Sequence, residues 1–158
     1  MPVHLVAGWL ELAASLCTFA PGIEIALEAN PEDLSGNAME ELTAAGINRL
    51  SLGVQSYRQR KLSALGRRHS AEDALRITRE AVSQFDSVSI DLICGVPGES
   101  TGEWLGDLQA ALALAAPHIS VYMLSVEPKT LLERRIARGL VTVPDEGVQA
   151  SMYAAAID

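Results

Sequence analysis

A chain of 158 residues that is 49% hydrophobic suits one domain and can bury a real core. Its formal net charge of −8 argues against broad binding of nucleic acid or anionic membranes, leaving room only for a local basic patch. The two cysteines, Cys17 and Cys94, stand alone, so no metal-ligand spacing such as CxxC is present, and lone thiols fit a reducing cytosol better than a disulfide scaffold.

From about Leu5 to Phe19, the residues Leu5, Trp9, Leu12, Leu16 and Phe19 recur at spacings of three and four, which predicts a helix with one apolar face ended by Pro21-Gly22. No Lys or Arg precedes this apolar run and Glu11 interrupts it, so it reads as a helix and not as a signal peptide. The run from Leu108 to Ala116 is too short to span a membrane. A strand is predicted from Ile23 to Ala29, carrying Glu28 near its end, and Asn30-Pro31 stops it. A helix follows with Leu34, Met39, Leu42 and Ala45 on one side, and Gly46 sits where a left-handed cap is wanted. A second strand, Asn48 to Val54, ends in Gln55.

Lys61 to Leu65 forms a short helical turn ending at Gly66, with Arg67-Arg68-His69 after it. Ser70 and Asp73 have capping-box spacing for a helix to about Ser83, with Leu75 and Val82 on its buried face. The third strand, Ser87 to Cys94, contains Asp91 and is closed by Gly95-Val96-Pro97-Gly98. Ser100 and Glu103 form a second capping box for a helix from Gly102 to Ala115 that Pro117 terminates. The fourth strand runs from His118 to Leu124; short helices at 131–138 and from Pro144-Asp145 complete the chain. Four strand–helix units imply an α/β fold with a parallel sheet and right-handed crossovers, and such folds place their chemistry at the carboxyl ends of the strands.

The stretches EIALEANPEDL, AGINRLSLGVQSY, LSALGRRHS, SIDLICGVPGES, HISVYMLSVEP and PDEGVQASMY occur in this order. Together they resemble the radical S-adenosylmethionine family of oxygen-independent coproporphyrinogen III oxidases, and more closely its relatives proposed to be heme chaperones. The resemblance covers the chain from about Leu5 onward. It implies residues 1–158 as a partial (β/α) barrel domain of about four parallel strands with flanking helices, the first two strands and the C-terminal region being absent. It also implies bound S-adenosylmethionine and a 4Fe–4S cluster in the full-length family and a porphyrin or heme small-molecule partner; the cytoplasmic location is the expectation from the two lone thiols.

Carried over position by position, the resemblance makes four residues cofactor-binding. Glu28 matches a strand-end glutamate that binds S-adenosylmethionine, and Gln55, in GVQS, matches a glutamine lining the same pocket. Arg67, in LGRRH, matches an arginine that reaches the cofactor, and Asp91, in IDLICG, matches an aspartate at the next strand. A structural hydrogen bond to a neighbouring backbone is an equal reading of Asp91. The residue types suit the ligand: a carboxylate can meet its amino group or ribose hydroxyls, and a guanidinium can fork onto its carboxylate.

Two family features are missing: the CxxxCxxC cluster motif and the glycine-rich GGTP-type loop. Two isolated thiols cannot replace three clustered ones, so no cluster, metal or catalytic residue is expected on this chain, which reads as an inactive fragment. The alternative is a non-enzymatic scaffold for heme or S-adenosylmethionine, with His69, His118, Cys94 and Met123 as candidate heme ligands. The segment GVPGESTG lacks the lysine of a phosphate loop and is rejected as one. Trp9 and Trp104 are expected to pack helices onto the sheet, and an open barrel edge invites self-association.

Overall fold

The computed structural model describes residues 2–157. Its strands are β1 (Ala26–Ala29), β2 (Arg49–Gln55), β3 (Ser87–Cys94) and β4 (His118–Met123), parallel throughout and hydrogen-bonded in the order β1-β2-β3-β4. The helices are α1 (Val3–Leu16), α2 (Gly36–Ala44), α3 (Gln59–Ala64), α4 (Ala71–Gln84), α5 (Thr101–Ala113), α6 (Leu131–Ala137) and α7 (Glu146–Ala154). Sequence order equals spatial order, so every crossover advances by one strand. This is the arrangement of a barrel wall, and not of a doubly wound sheet whose order reverses.

Side chains alternate between the two faces of a strand, and here the faces differ in chemistry. Leu50, Leu52, Val54, Val88, Ile90, Leu92 and Cys94 point one way and are almost wholly buried beneath the helices. Burying each of the leucines and isoleucines contributes about 1.5–3 kcal/mol. The opposite face carries Glu28, Ser51, Ser89, Asp91, His118 and Ser120, aligned by the register Glu28↔Ser51↔Ser89↔His118 and Asp91↔Ser120. No described helix covers it.

Local signals explain most element ends. Ser100 accepts from the Glu103 N–H while Glu103 accepts from the Ser100 N–H, the full capping box of α5. Ser70 accepts from the Asp73 N–H, but the Asp73 carboxylate takes the Ser70 hydroxyl, so only half of that box forms. Gly46 has φ +100°, as the cap of α2 requires. That helix starts later than predicted because Pro31–Asp33 forms a separate 3-10 turn and Ser35 becomes the N-cap. β1 also starts later than Ile23: the Asn48 side chain takes the Ile25 N–H and donates to the Ile23 carbonyl, replacing ladder bonds there.

The face predicted for α1 is corrected. Leu5, Trp9, Leu12 and Leu16 are exposed (46%, 68%, 51% and 78%), so Trp9 does not pack a helix onto the sheet. The helix buries Val6, with Val3 and Leu10 packed partly beside it. It is apolar on nearly all sides, so spacing alone could not select the inward face. Trp104 is fully buried as expected, its indole N–H donating to the Met152 carbonyl at 2.6 Å and tying α7 to α5. In α4 the buried stripe is Ala74, Ile77, Thr78 and Ala81, with Leu75 and Val82 on its margins.

Candidate functional site

At the carboxyl ends of β1–β3 the polar face forms an open cavity of about 270 Å³ lined by Glu28, Ala29, Asn30, Ser51, Gly53, Gln55 and Asp91. Three of the four sequence-predicted residues therefore share one cavity. Glu28 is exposed and stands opposite Ser51. The Ser51 hydroxyl lies within 3.1–3.2 Å of both Asp91 carboxylate oxygens and donates to them. Burial pushes the Asp91 carboxyl above its usual range, and the nearby charge of Glu28 adds to this against hydrogen bonds from Ser51 and Ser120.

Gln55 is the distorted point of the site. The β2–β3 register shifts between Leu52 and Gln55, and Gln55 adopts φ +68°, a left-handed conformation rare for a non-glycine residue. Its side chain is nearly buried, yet Oε1 has no hydrogen-bond partner. A buried orphan acceptor costs about 1–3 kcal/mol, and backbone strain of this kind about as much again. Gly53, inside the bulge, permits the close approach: a Cβ there would lie 2.9 Å from Asn30 Oδ1 and 3.1 Å from both Arg67 Nη2 and Gln55 Nε2.

Arg67 stands at the border of the cavity. Its guanidinium donates to Asn30 Oδ1 at 3.0 Å and to the Gly53 carbonyl at 3.2 Å, leaving other N–H groups for a ligand. Asn30 was read from the sequence only as a strand stop, but it lines the cavity and orients Arg67. Behind it, Glu32 meets the His69 ring at 2.6 Å. Burial opposes ionisation of Glu32, but its own backbone N–H, His69 and Arg67 outweigh this and hold its carboxyl below the usual range.

Spacing in the sequence did not reveal a buried ionic cluster around Lys61. Lys61 is wholly buried and pairs with Glu99 and, at 2.8 Å, with Asp107. Asp107 also accepts from the Ser56 hydroxyl at 2.6 Å and the Tyr57 N–H at 3.1 Å, and Glu99 accepts from the Val96 N–H at 2.9 Å. The Lys61 ammonium lies 5.4 Å above the centre of the Trp104 ring. One signal was present: Asp107 falls on the inward stripe of Trp104, Leu108 and Ala111.

The remaining candidates are dispersed. His69 is buried and bonded on both ring nitrogens, to Glu32 and to the Val54 carbonyl. Cys94 is buried at the end of β3, where burial raises its thiol pKa, while Cys17 is exposed at the end of α1. His118 and Met123 are exposed at opposite ends of β4.

A parallel wall with polar residues gathered at its strand ends has known counterparts. Coproporphyrinogen III oxidase (HemN) from Escherichia coli superposes with a TM-score of 0.83 over 99% of this chain and 36% of that one, at 22% identity, a likeness of fold. The radical S-adenosyl methionine domain-containing protein 1, mitochondrial, of Bos taurus is 42% identical over 151 residues, 95% of this chain and 34% of that protein. The heme chaperone HemW of Mycobacterium tuberculosis is 38% identical over 149 residues, 94% of this chain and 38% of that protein. The chain thus spans about a third of the length of these relatives. Residues 3–111 match the Radical SAM superfamily, and this places the chain in that superfamily.

Proposed function

We propose that this chain cradles S-adenosylmethionine in the cavity formed by Glu28, Gln55 and Asp91, with Arg67 at its border. In this reading, residues 1–158 are a partial barrel domain of a protein of porphyrin or heme metabolism, of the heme-chaperone or coproporphyrinogen-oxidase kind. The observation that carries the proposal is the unpartnered, nearly buried Gln55 Oε1 on a strained backbone at the cavity wall. Strain and an unmet acceptor persist where a ligand repays them. The donor set fits the ligand: Glu28 and Asp91 can take an ammonium or ribose hydroxyls, Gln55 Oε1 can take an N–H or O–H, and Arg67 can pair a carboxylate.

When bound beside a reduced iron–sulfur cluster, S-adenosylmethionine supplies radical chemistry. The residues of this chain do not fit such a cluster. Of its two cysteines, one ends α1 and the other is buried at the end of β3, and no CxxxCxxC occurs. We therefore assign binding and orientation of the ligand to this chain, and no cleavage of it. Among the described residues no helix is long and apolar enough to cross a membrane. Two free thiols suit a reducing compartment, the cytoplasm in our reading, although the bovine relative is named as mitochondrial. A heme-binding scaffold is the second reading, and the exposure of His118 and Met123 is what favours it.

Calorimetric titration with S-adenosylmethionine separates the readings. Saturable one-to-one binding that Gln55→Ala and Arg67→Ala each weaken at least about tenfold supports the proposal. No binding, with a Soret shift on adding heme that His118→Ala or Met123→Ala abolishes, supports the scaffold instead.

A further inference from the structure

Asn30, Gly53 and Gln55 of the cavity and Arg67 at its border lie in three separate segments: 28–32 at and after the end of β1, 53–57 at the end of β2, and 66–70 after α3. One side chain outside the cavity touches all three. His69 is 3% exposed and does not line the cavity. Its Nε2 lies 3.1 Å from the Val54 carbonyl, between Gly53 and Gln55. A carbonyl only accepts, so Nε2 carries a hydrogen. Its Nδ1 lies 2.6 Å from Glu32 Oε2, two residues beyond Asn30. His69 itself lies two residues beyond Arg67.

We propose that His69 is a positioning residue that fixes the relative placement of Asn30, Gln55 and Arg67. The inference rests on the S-adenosylmethionine reading for its ligand and on the two ring contacts for its mechanism. The backbone at Gln55 is left-handed and the ladder beside it is interrupted, so sheet pairing alone does not hold Val54. The His69 N–H takes the carbonyl at that interruption. Glu32 follows the buried Pro31 in the 3-10 turn after β1, with Arg68 3.7 Å from its other oxygen. The Arg67 guanidinium then closes the circuit on Asn30 and Gly53. Removing the ring frees three segments at once, and displacements of about 1 Å among binding groups are costly.

The test uses His69→Ala, His69→Gln and His69→Asn in this chain. A glutamine amide can reach where Nε2 was, and an asparagine amide where Nδ1 was. His69→Ala is expected to weaken S-adenosylmethionine binding about tenfold or more, with His69→Gln regaining most of the loss because it restores the bond to Val54. Amide hydrogen exchange without ligand is expected to speed up together in segments 28–32, 53–57 and 66–70 of the alanine variant. Alanine-variant affinity within twofold of wild type, or faster exchange confined to 66–70, overturns the proposal. If wild type binds no S-adenosylmethionine while the three segments still loosen together, the assigned ligand falls and the positioning role stands.

Discussion

Replacing Lys61 by methionine tests the buried ionic cluster most sharply. The change keeps length and volume and removes one positive charge from a site where Lys61 and Glu99 side chains are 0% exposed and that of Asp107 is 1% exposed. The two carboxylates are not left equal. Asp107 keeps the Ser56 hydroxyl, the Tyr57 N–H and Arg58 at 3.8 Å, whereas Glu99 keeps only the Val96 N–H. Most of the penalty therefore falls on Glu99. Breaking a buried pair by removing one partner costs about 3–5 kcal/mol. For a chain of this size that corresponds to a fall in Tm of about 6–20 °C. Adding Glu99→Gln removes the stranded charge while keeping an acceptor for Val96, so the double variant is expected to regain at least about 1 kcal/mol. Urea unfolding followed by far-ultraviolet circular dichroism reads both values. A Lys61→Met variant within about 1 kcal/mol of wild type, or a double variant no more stable than the single, refutes the reasoning.

Gln55→Gly relieves the left-handed strain and deletes the orphan acceptor, so it is expected to stabilise the chain by about 1 kcal/mol while abolishing S-adenosylmethionine binding. A destabilised variant in urea unfolding would show that packing of the Gln55 side chain outweighs its strain. Gly53→Ala places a methyl group 2.9 Å from Asn30 Oδ1, so it is expected to cost about 1–3 kcal/mol and to weaken binding more than tenfold; wild-type affinity by calorimetry counts against the cradle. The Glu32 carboxyl is depressed below its ordinary value of 4.5, so its contribution is present above that pH and is lost as pH falls through the lower folded value. Glu32→Gln should therefore flatten the acid limb of a Tm–pH profile below about pH 4.5, and an unchanged limb refutes the assignment.

The four strands were legible because each is a short apolar run punctuated by proline, glycine or a cap. Their parallel order followed from the helices between them. The placement of Glu28, Gln55 and Asp91 was legible through motif order, and the register that lines them up is a consequence of that fold. Other features were not local in the sequence. Asn30 reads as a breaker because its neighbour is proline, and its role emerges only when Arg67 folds back across 37 residues. Lys61 meets Glu99 and Asp107 across 38 and 46 residues, distances no periodicity encodes. The face of α1 was misread because apolar residues surround that helix. The inward choice was made by Val6 against the core, and not by the larger Trp9 and Leu16.

The central claim is that one ligand bridges the ends of β1, β2 and β3, and a crystal structure of this chain grown with S-adenosylmethionine examines it directly. The account predicts the ligand within hydrogen-bond distance of Glu28, Gln55 Oε1 and Asp91, with Arg67 still held by Asn30 and Gly53. Ligand density elsewhere on the chain, or a cavity that stays empty at saturating ligand with Gln55 Oε1 still unpartnered, would contradict it.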